Sequence, residues 1–337
     1  MRFGLQLHAS LPIAEYPALA RRAEQLGFGD ITVHDVLMRR PVWPLLCDVA
    51  RATSGAEIGP NVTHPYLQHP AVIAAYAAHL DELSGGRLVL GIGRGSMYEF
   101  VNQRLPRGFT GLEEAVRVLR SLLGGNVEPF DGEVFGLGPG PGLLFGARRR
   151  VPIHLGVYGE TGVRLAGRIA DGVRAAGQWD PAYATEIRRW LGESAETAGR
   201  DPATVRLVVE NWTCIHPDRD LARAAARRVL ASFLPHLGTM LGFYGIDARE
   251  VRAASAASTH GDVAALSAIT DATVDRFMAA GDADDLRRGL DRLQASGFTE
   301  VSFSGVLGPE PHTALEMLGA ELARRGAATA AAESGRR

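Results

Sequence analysis

His8, His34 and Asp35 are the residues of this chain whose types best suit them to move protons. A carboxylate beside an imidazole holds it in one tautomer and raises its pKa, so the adjacent His34 and Asp35 make a pair for general acid or base work. The other reading of Asp35 is a cap before a helical stretch over 42–50, with His34 merely satisfied, and the residues alone leave both open. A second feature is the turn Gly91-Ile92-Gly93-Arg94-Gly95-Ser96, whose bare backbone N–H groups can close around a phosphate. There Arg94 either adds a charge-assisted hydrogen bond, contributing about 1.5–3 kcal/mol, or stands as a solvated turn arginine.

Other chemistries are missing their residues. His64 and His69 flank Pro65 and Pro70, but no HxH, HExxH or carboxylate cluster accompanies them, so they read as loop and helix-start residues and no metal is expected. All 36 basic residues are arginine, which removes Schiff-base chemistry and the P-loop lysine. Cys47 and Cys214 stand far apart with no CxxC spacing, against a zinc knuckle, a redox pair or a disulfide framework. A formal charge of -2 gives no reason to expect nucleic acid or an anionic membrane, so the ligand is expected to be a small molecule. The start MRFGLQLHAS lacks an apolar leader core and no apolar run reaches membrane-spanning length, which predicts a cytoplasmic protein.

Strand-like runs at 3–8, 30–34, 56–62, 87–92, 152–157, 172–176, 206–215 and 300–304 must position these groups. Most are followed by helix-period stretches, among them 13–26, 69–83, 112–122, 160–169 and 309–324. Eight strands with following helices predict an α/β fold, a (β/α)8 TIM barrel spanning 1–326 as one domain, with a doubly wound open sheet as the second choice. Two insertions are expected: 124–150, with a short hairpin at DGEVFGL, and 221–280, as extra helices over the barrel mouth before the last strand. The small, polar tail 327–337 is expected to be flexible. Barrel chemistry sits at the C-terminal ends of the strands, which selects Gln6 and His8, His34 and Asp35, Asn61 to His64, Gly93 to Ser96, Tyr158 and Gly159, and Gln178 and Trp179. Trp179 either stacks on a ring or covers the rim; its position favours the pocket, with Gln6 and Gln178 as further pocket residues.

The runs GPNVTHPYLQHPAVIAAYAAHLDELSGGRLVLGIGRGS, VPIHLGVYGETGVRLAGRIADGV and DADDLRRGLDRLQASGFTEVSFSGVLGPEP together resemble the bacterial luciferase-like superfamily. Within it they are most similar to the deazaflavin-dependent branch that includes the methylenetetrahydromethanopterin reductases. The resemblance implies a TIM barrel holding coenzyme F420, or alternatively FMN, with its ring system in the barrel mouth. It implies a non-prolyl cis peptide at Pro60-Asn61, with Val62 adjoining, behind the ring. The phosphate would lie on Gly93, Arg94, Gly95 and Ser96, Tyr158 and Gly159 would line the cofactor's side chain, and Asp35 would stand beside the ring.

Two positions depart from that pattern. Val36 follows Asp35 where the branch usually has histidine, and neutral Gln6 stands where the methanopterin reductases carry an acid. What the resemblance implies is therefore an F420-dependent oxidoreductase that moves a hydride between the deazaflavin and a C=N or C=C bond of a small organic substrate. His8, His34 and Asp35 are its expected acid, base and orienting set. The alternatives are an FMN-dependent monooxygenase on the same barrel, a non-catalytic flavin-binding barrel and, most remotely, a metal-dependent hydrolase. The relatives' habit of association implies a homodimer or larger homo-oligomer.

Overall fold

Short apolar runs separated by amphipathic helices must pair in parallel, because each crossover helix returns the chain to the same end of the sheet. The computed structural model, which describes residues 1–334 apart from 97, 103, 107 and 147–149, shows this pairing throughout. Its strands are β1 (Arg2–Leu7), β2 (Asp30–Val33), β3 (Glu57–Pro60), β4 (Leu90–Ile92), β5 (Ile153–Gly156), β6 (Gly172–Ala176), β7 (Arg206–Ile215), β8 (Met278–Gly281) and β9 (Glu300–Gly305). The order β3-β2-β1-β9-β7-β6-β5-β4 carries the eight expected strands around a nearly closed TIM barrel. Closure comes from backbone bonds between β3 and the chain around β4. Val89 N donates to Ile58 O at 2.9 Å, then Thr63 N to Gly91 O at 3.0 Å, and the residues between bulge away from the ladder.

β8 is a ninth strand inside the stretch expected to be wholly helical. It pairs with Trp212 to Ile215 of β7, while β6 takes Arg206 to Glu210 and β9 takes Val209 to Trp212, so the ten-residue β7 serves three neighbours. Its sequence MAAG has no strand signature of its own, and pairing to β7 imposes the conformation. The expected extra helices are present as Arg219–Phe233, Thr239–Tyr244, Ala248–His260 and Asp271–Phe277. The expected hairpin reduces to one antiparallel bridge, Phe130 with Leu137, whose turn is held by the Glu114 carboxylate accepting from the N–H groups of Glu133, Val134 and Phe135 at 2.7–2.9 Å. The last helix, Pro311–Ser334, runs on past Gly326, where the sequence predicts fraying; 335–337 lie outside the described residues.

Period-two alternation sorts the strands into two environments. Phe3, Leu5, Ile31, Val301 and Phe303 face outward and are fully covered by helices, so the apolar core is the layer between sheet and helices. The lumen is polar. At its N-terminal end Arg2 and Arg206 alternate with Glu57 and Glu300, with N–O distances of 2.8 Å for Arg2–Glu57, 3.0 Å for Arg206–Glu57 and 2.5 Å for Arg206–Glu300. Among the described residues no helix is long and apolar enough to cross a membrane.

Candidate active site

Above the ionic ring, Arg174 of β6 is sealed in the lumen between two carboxylates. Its NH2 lies 2.8 Å from Asp30 Oδ1 and its NH1 3.1 Å from Glu210 Oε1. All three side chains are at least nine-tenths buried. Burial opposes the charge on Arg174, yet Asp30 and Glu210 outweigh it and raise its pKa further. Burial also lifts Glu210 above the usual carboxylate range, against the pull of Arg174 and of Asn61. Asn61 carries the network into the mouth: its Nδ2 donates to Glu210 Oε1, and its carbonyl accepts from Gln6 Nε2 of β1. The cis peptide is Asn61–Val62, one residue beyond the expected Pro60–Asn61. Pro60 is instead the last residue of β3, paired with Val33 of β2.

The proton-handling set is rearranged relative to the sequence reading. Asp35 makes no hydrogen bond to His34 among the described residues; its Oδ2 accepts from Thr63 Oγ1 at 2.6 Å. Nor does it cap a helix, since Val42–Ala52 starts at Pro41 without a side-chain cap. His34 lies edge-on to His8, ring centres 5.5 Å apart, and its Nδ1 is buried without a partner. Burial, and then His8, push His34 down to about 3, the reverse of the rise expected from an adjacent carboxylate. His8 is lowered too, by burial and then Arg39, and its Nδ1 meets Ser10 Oγ at 2.6 Å. Both imidazoles are therefore neutral near pH 7, suited to hydrogen bonding rather than to delivering a proton as imidazolium.

The glycine turn divides into two parts. Gly91 and Gly93 lack side chains because the β3 bulge presses on them. A Cβ on Gly93 would stand 2.7 Å from Val62 Cγ2, and one on Gly156 of β5 would stand 2.7 Å from Val62 Cγ1. Val62 thus packs on a wall of glycines, and Gly93 serves backbone approach rather than an open cradle. Gly95 and Ser96 are exposed, with Gly95 at φ +74°, so this outer half is free to meet an anion. Arg94 donates to Pro106 O at 2.9 Å and sits over the Phe109 ring, while its buried Nε has no partner.

His64, read from the sequence as a loop residue, and Tyr98, which that reading did not name, brace the turn. His64 is 5% exposed and packs edge-on against Tyr98, whose hydroxyl donates to Arg94 O at 2.8 Å. A Cβ on Gly95 would meet the His64 ring at 2.8 Å. His69 behaves as read, accepting from Ala71 N at 3.2 Å as the cap of Pro70–Leu83. No metal-binding cluster occurs among the described residues.

Across the mouth, Gly159 starts the helix Glu160–Ile169 with no side-chain cap and nothing within 4 Å of where a Cβ would lie, leaving the first N–H groups available to an anion. Tyr158 donates to His236 O at 3.2 Å and Gln178 to Met240 Sδ at 3.2 Å, so the insertion roofs the mouth. Trp212 of β7 stacks on Phe233 at 4.2 Å beside them. Trp179 is not part of this wall. Its indole overlies Gly289 of the helix Ala283–Ala295, outside the barrel.

A mouth with a glycine wall on one side, an uncapped helix on the other and an orphaned arginine Nε between fits a flat, anionic, phosphate-bearing cofactor. The model of the luciferase-like monooxygenase family matches residues 1–300. This chain belongs to that family. The luciferase-like chain is 29% identical over 331 residues to the 5,10-methylenetetrahydromethanopterin reductase of Methanolobus tindarius, covering 96% of this chain and 99% of that one. It is 30% identical over 220 residues to an F420-dependent glucose-6-phosphate dehydrogenase of Microbacterium testaceum, covering 61% of this chain and 65% of the other. Among solved structures it is similar to the coenzyme F420-dependent tetrahydromethanopterin reductase of Methanopyrus kandleri, with 25% identity and a TM-score of 0.84 over 94% of this chain and 97% of that one.

Proposed function

We propose that this luciferase-like enzyme is a coenzyme F420-dependent oxidoreductase that reduces a C=N or C=C bond of a small organic substrate. The observation that carries the reading is likeness over nearly the whole length, in sequence to a methylenetetrahydromethanopterin reductase and in fold to a coenzyme F420-dependent tetrahydromethanopterin reductase. When bound, the deazaflavin supplies the hydride.

The chain's own residues do the rest. Val62, anchored on Gly93 and Gly156, forms the back wall, and Asn61 is fixed from both sides by Gln6 and Glu210. Gly95, Ser96 and the open N–H groups after Gly159 hold the anionic part of the cofactor. Thr63 fixes Asp35 in one orientation at the mouth, and the roof of Tyr158, Trp212 and Phe233 excludes water from the reacting faces. Gln6 supplies no acid, because a carboxamide has no ionisable proton near neutral pH, and its NH2 group is instead committed to the Asn61 carbonyl. His34 is not the source of the proton that accompanies the hydride, because its protonated form is strongly disfavoured. Fluorescence titration of the purified protein tests the reading: micromolar binding of F420 with no comparable binding of FMN supports it, and selective binding of FMN overturns it.

A further inference from the structure

We infer that the chain carries a second anion site, outside the barrel, that takes a phosphate dianion, free or as the head of a small phosphate monoester. A cavity of about 200 Å³ lies between the helices Arg219–Phe233 and Ala283–Ala295, lined by Trp179, Ala280, four arginines and two aspartates. The arginines are Arg219, Arg223, Arg288 and Arg292, and the aspartates are Asp275 and Asp285. The lining therefore carries an excess of positive charge, in a space that holds a phosphate and a few attached atoms.

The charges are unevenly matched. Asp285 Oδ2 accepts from Arg219 at 2.7 Å and its Oδ1 from Arg288 at 2.6 Å, so one carboxylate serves two guanidinium groups. Arg223 is only 5% exposed in its side chain; its NH1 is 2.7 Å from Asp275 and 3.7 Å from Asp271, and its NH2 is 3.9 Å from Asp285. Its Nε is buried with no partner. A buried guanidinium with a donor left over is costly unless something accepts from it, and a planar fork matches phosphate oxygens. Arg292, at the exposed edge, makes no side-chain hydrogen bond or ion pair among the described residues. The ion pairs alone account for Arg219 and Arg288, but they leave the Arg223 Nε and all of Arg292 unanswered. Trp179, expected from the sequence in the pocket, lines this cavity instead, and no group to which the proposed function gives a role does, so the inference does not rest on the reading of the active site.

Thermal unfolding and isothermal titration at constant ionic strength test it, with inorganic phosphate, glycerol phosphate and chloride as probes. Wild type should show a saturable shift with a phosphate probe and none with chloride. Arg292→Ala, an exposed change that leaves every ion pair in place, should weaken that binding about tenfold, and Arg288→Gln/Arg292→Ala further. Tighter binding of glycerol phosphate would name a phosphate monoester as the ligand, and tighter binding of phosphate the free ion. The comparison with the variants separates this cavity from any phosphate held at the glycine turn. Absence of a saturable response, or one unchanged in both variants, overturns the inference.

Discussion

Asn61 and Glu210, 149 positions apart in the chain, are joined by a hydrogen bond from the Asn61 amide to the Glu210 carboxylate inside the barrel. Through Arg174 the same carboxylate is tied to Asp30, so a residue of the mouth is fixed by charges sunk in the lumen. Removing one partner of such a buried set leaves the others unpaired, at a cost of about 3–5 kcal/mol. Glu210→Ala should lose stability on that scale in urea unfolding. Glu210→Gln should lose less, because an amide oxygen still accepts from Asn61. An alanine variant as stable as wild type would remove this network from the account of the fold.

Val62 and Gly93 make a lock whose two parts can be changed separately. Gly93→Ala puts a methyl group into the space of Val62 Cγ2 and should destabilise by about 1–3 kcal/mol through overpacking. Val62→Ala opens that space, so the double variant should recover part of the loss, with a coupling energy of about 0.5–3 kcal/mol in the double-mutant cycle. Additive losses would mean that the two do not share the contact.

The barrel was legible because strand-like apolar runs and amphipathic helices alternate along most of the chain, and the helix 160–169 begins and ends where the sequence places it. β8 was not, since Met278, two alanines and a glycine acquire strand conformation only by lying against the far half of β7. The glycine turn was found from its spacing, but spacing does not say whether a glycine makes room for a ligand or for Val62. Arg174 and Glu210 left a readable trace: a charge within the buried runs GVRAA and RLVVENWTCI, at a position of lumen-facing parity. Asp35 could not be assigned from sequence, because its partner Thr63 comes from another strand end.

Trp179 supplies a test of wall against pocket. Its ring fills the groove over Gly289, so Trp179→Phe should lower the unfolding midpoint by a few degrees through lost packing. Cofactor affinity in the fluorescence titration should be unchanged. A variant of wild-type stability with weakened cofactor binding would return Trp179 to the pocket.

Acid stability follows from histidines held neutral by the fold. His34 is down at about 3, and burial lowers His8, His64 and His154 as well, the last also under the charges of Arg174, Arg206 and Arg2. Between these depressed values and the ordinary 6.5 the unfolded chain binds more protons than the folded one, so stability rises with pH in that interval. It is fully present above about 6.5 and is lost as pH falls, each such histidine adding up to about 1.4 kcal/mol per pH unit. The lowered carboxylates Glu24, Glu114, Asp171 and Glu321 act in the same sense, but only as pH falls through and below their own ordinary range, and Glu210, raised instead, acts oppositely. The interval from about pH 6.5 to 4.5 therefore belongs mainly to the histidines. Chemical denaturation across it should show a steep fall in wild type and a shallower one in His34→Phe, which keeps a ring in the site and removes the proton acceptor. Equal slopes in the two proteins would show that His34 is already protonated in the folded state at these pH values, and would reopen its candidacy as the proton donor.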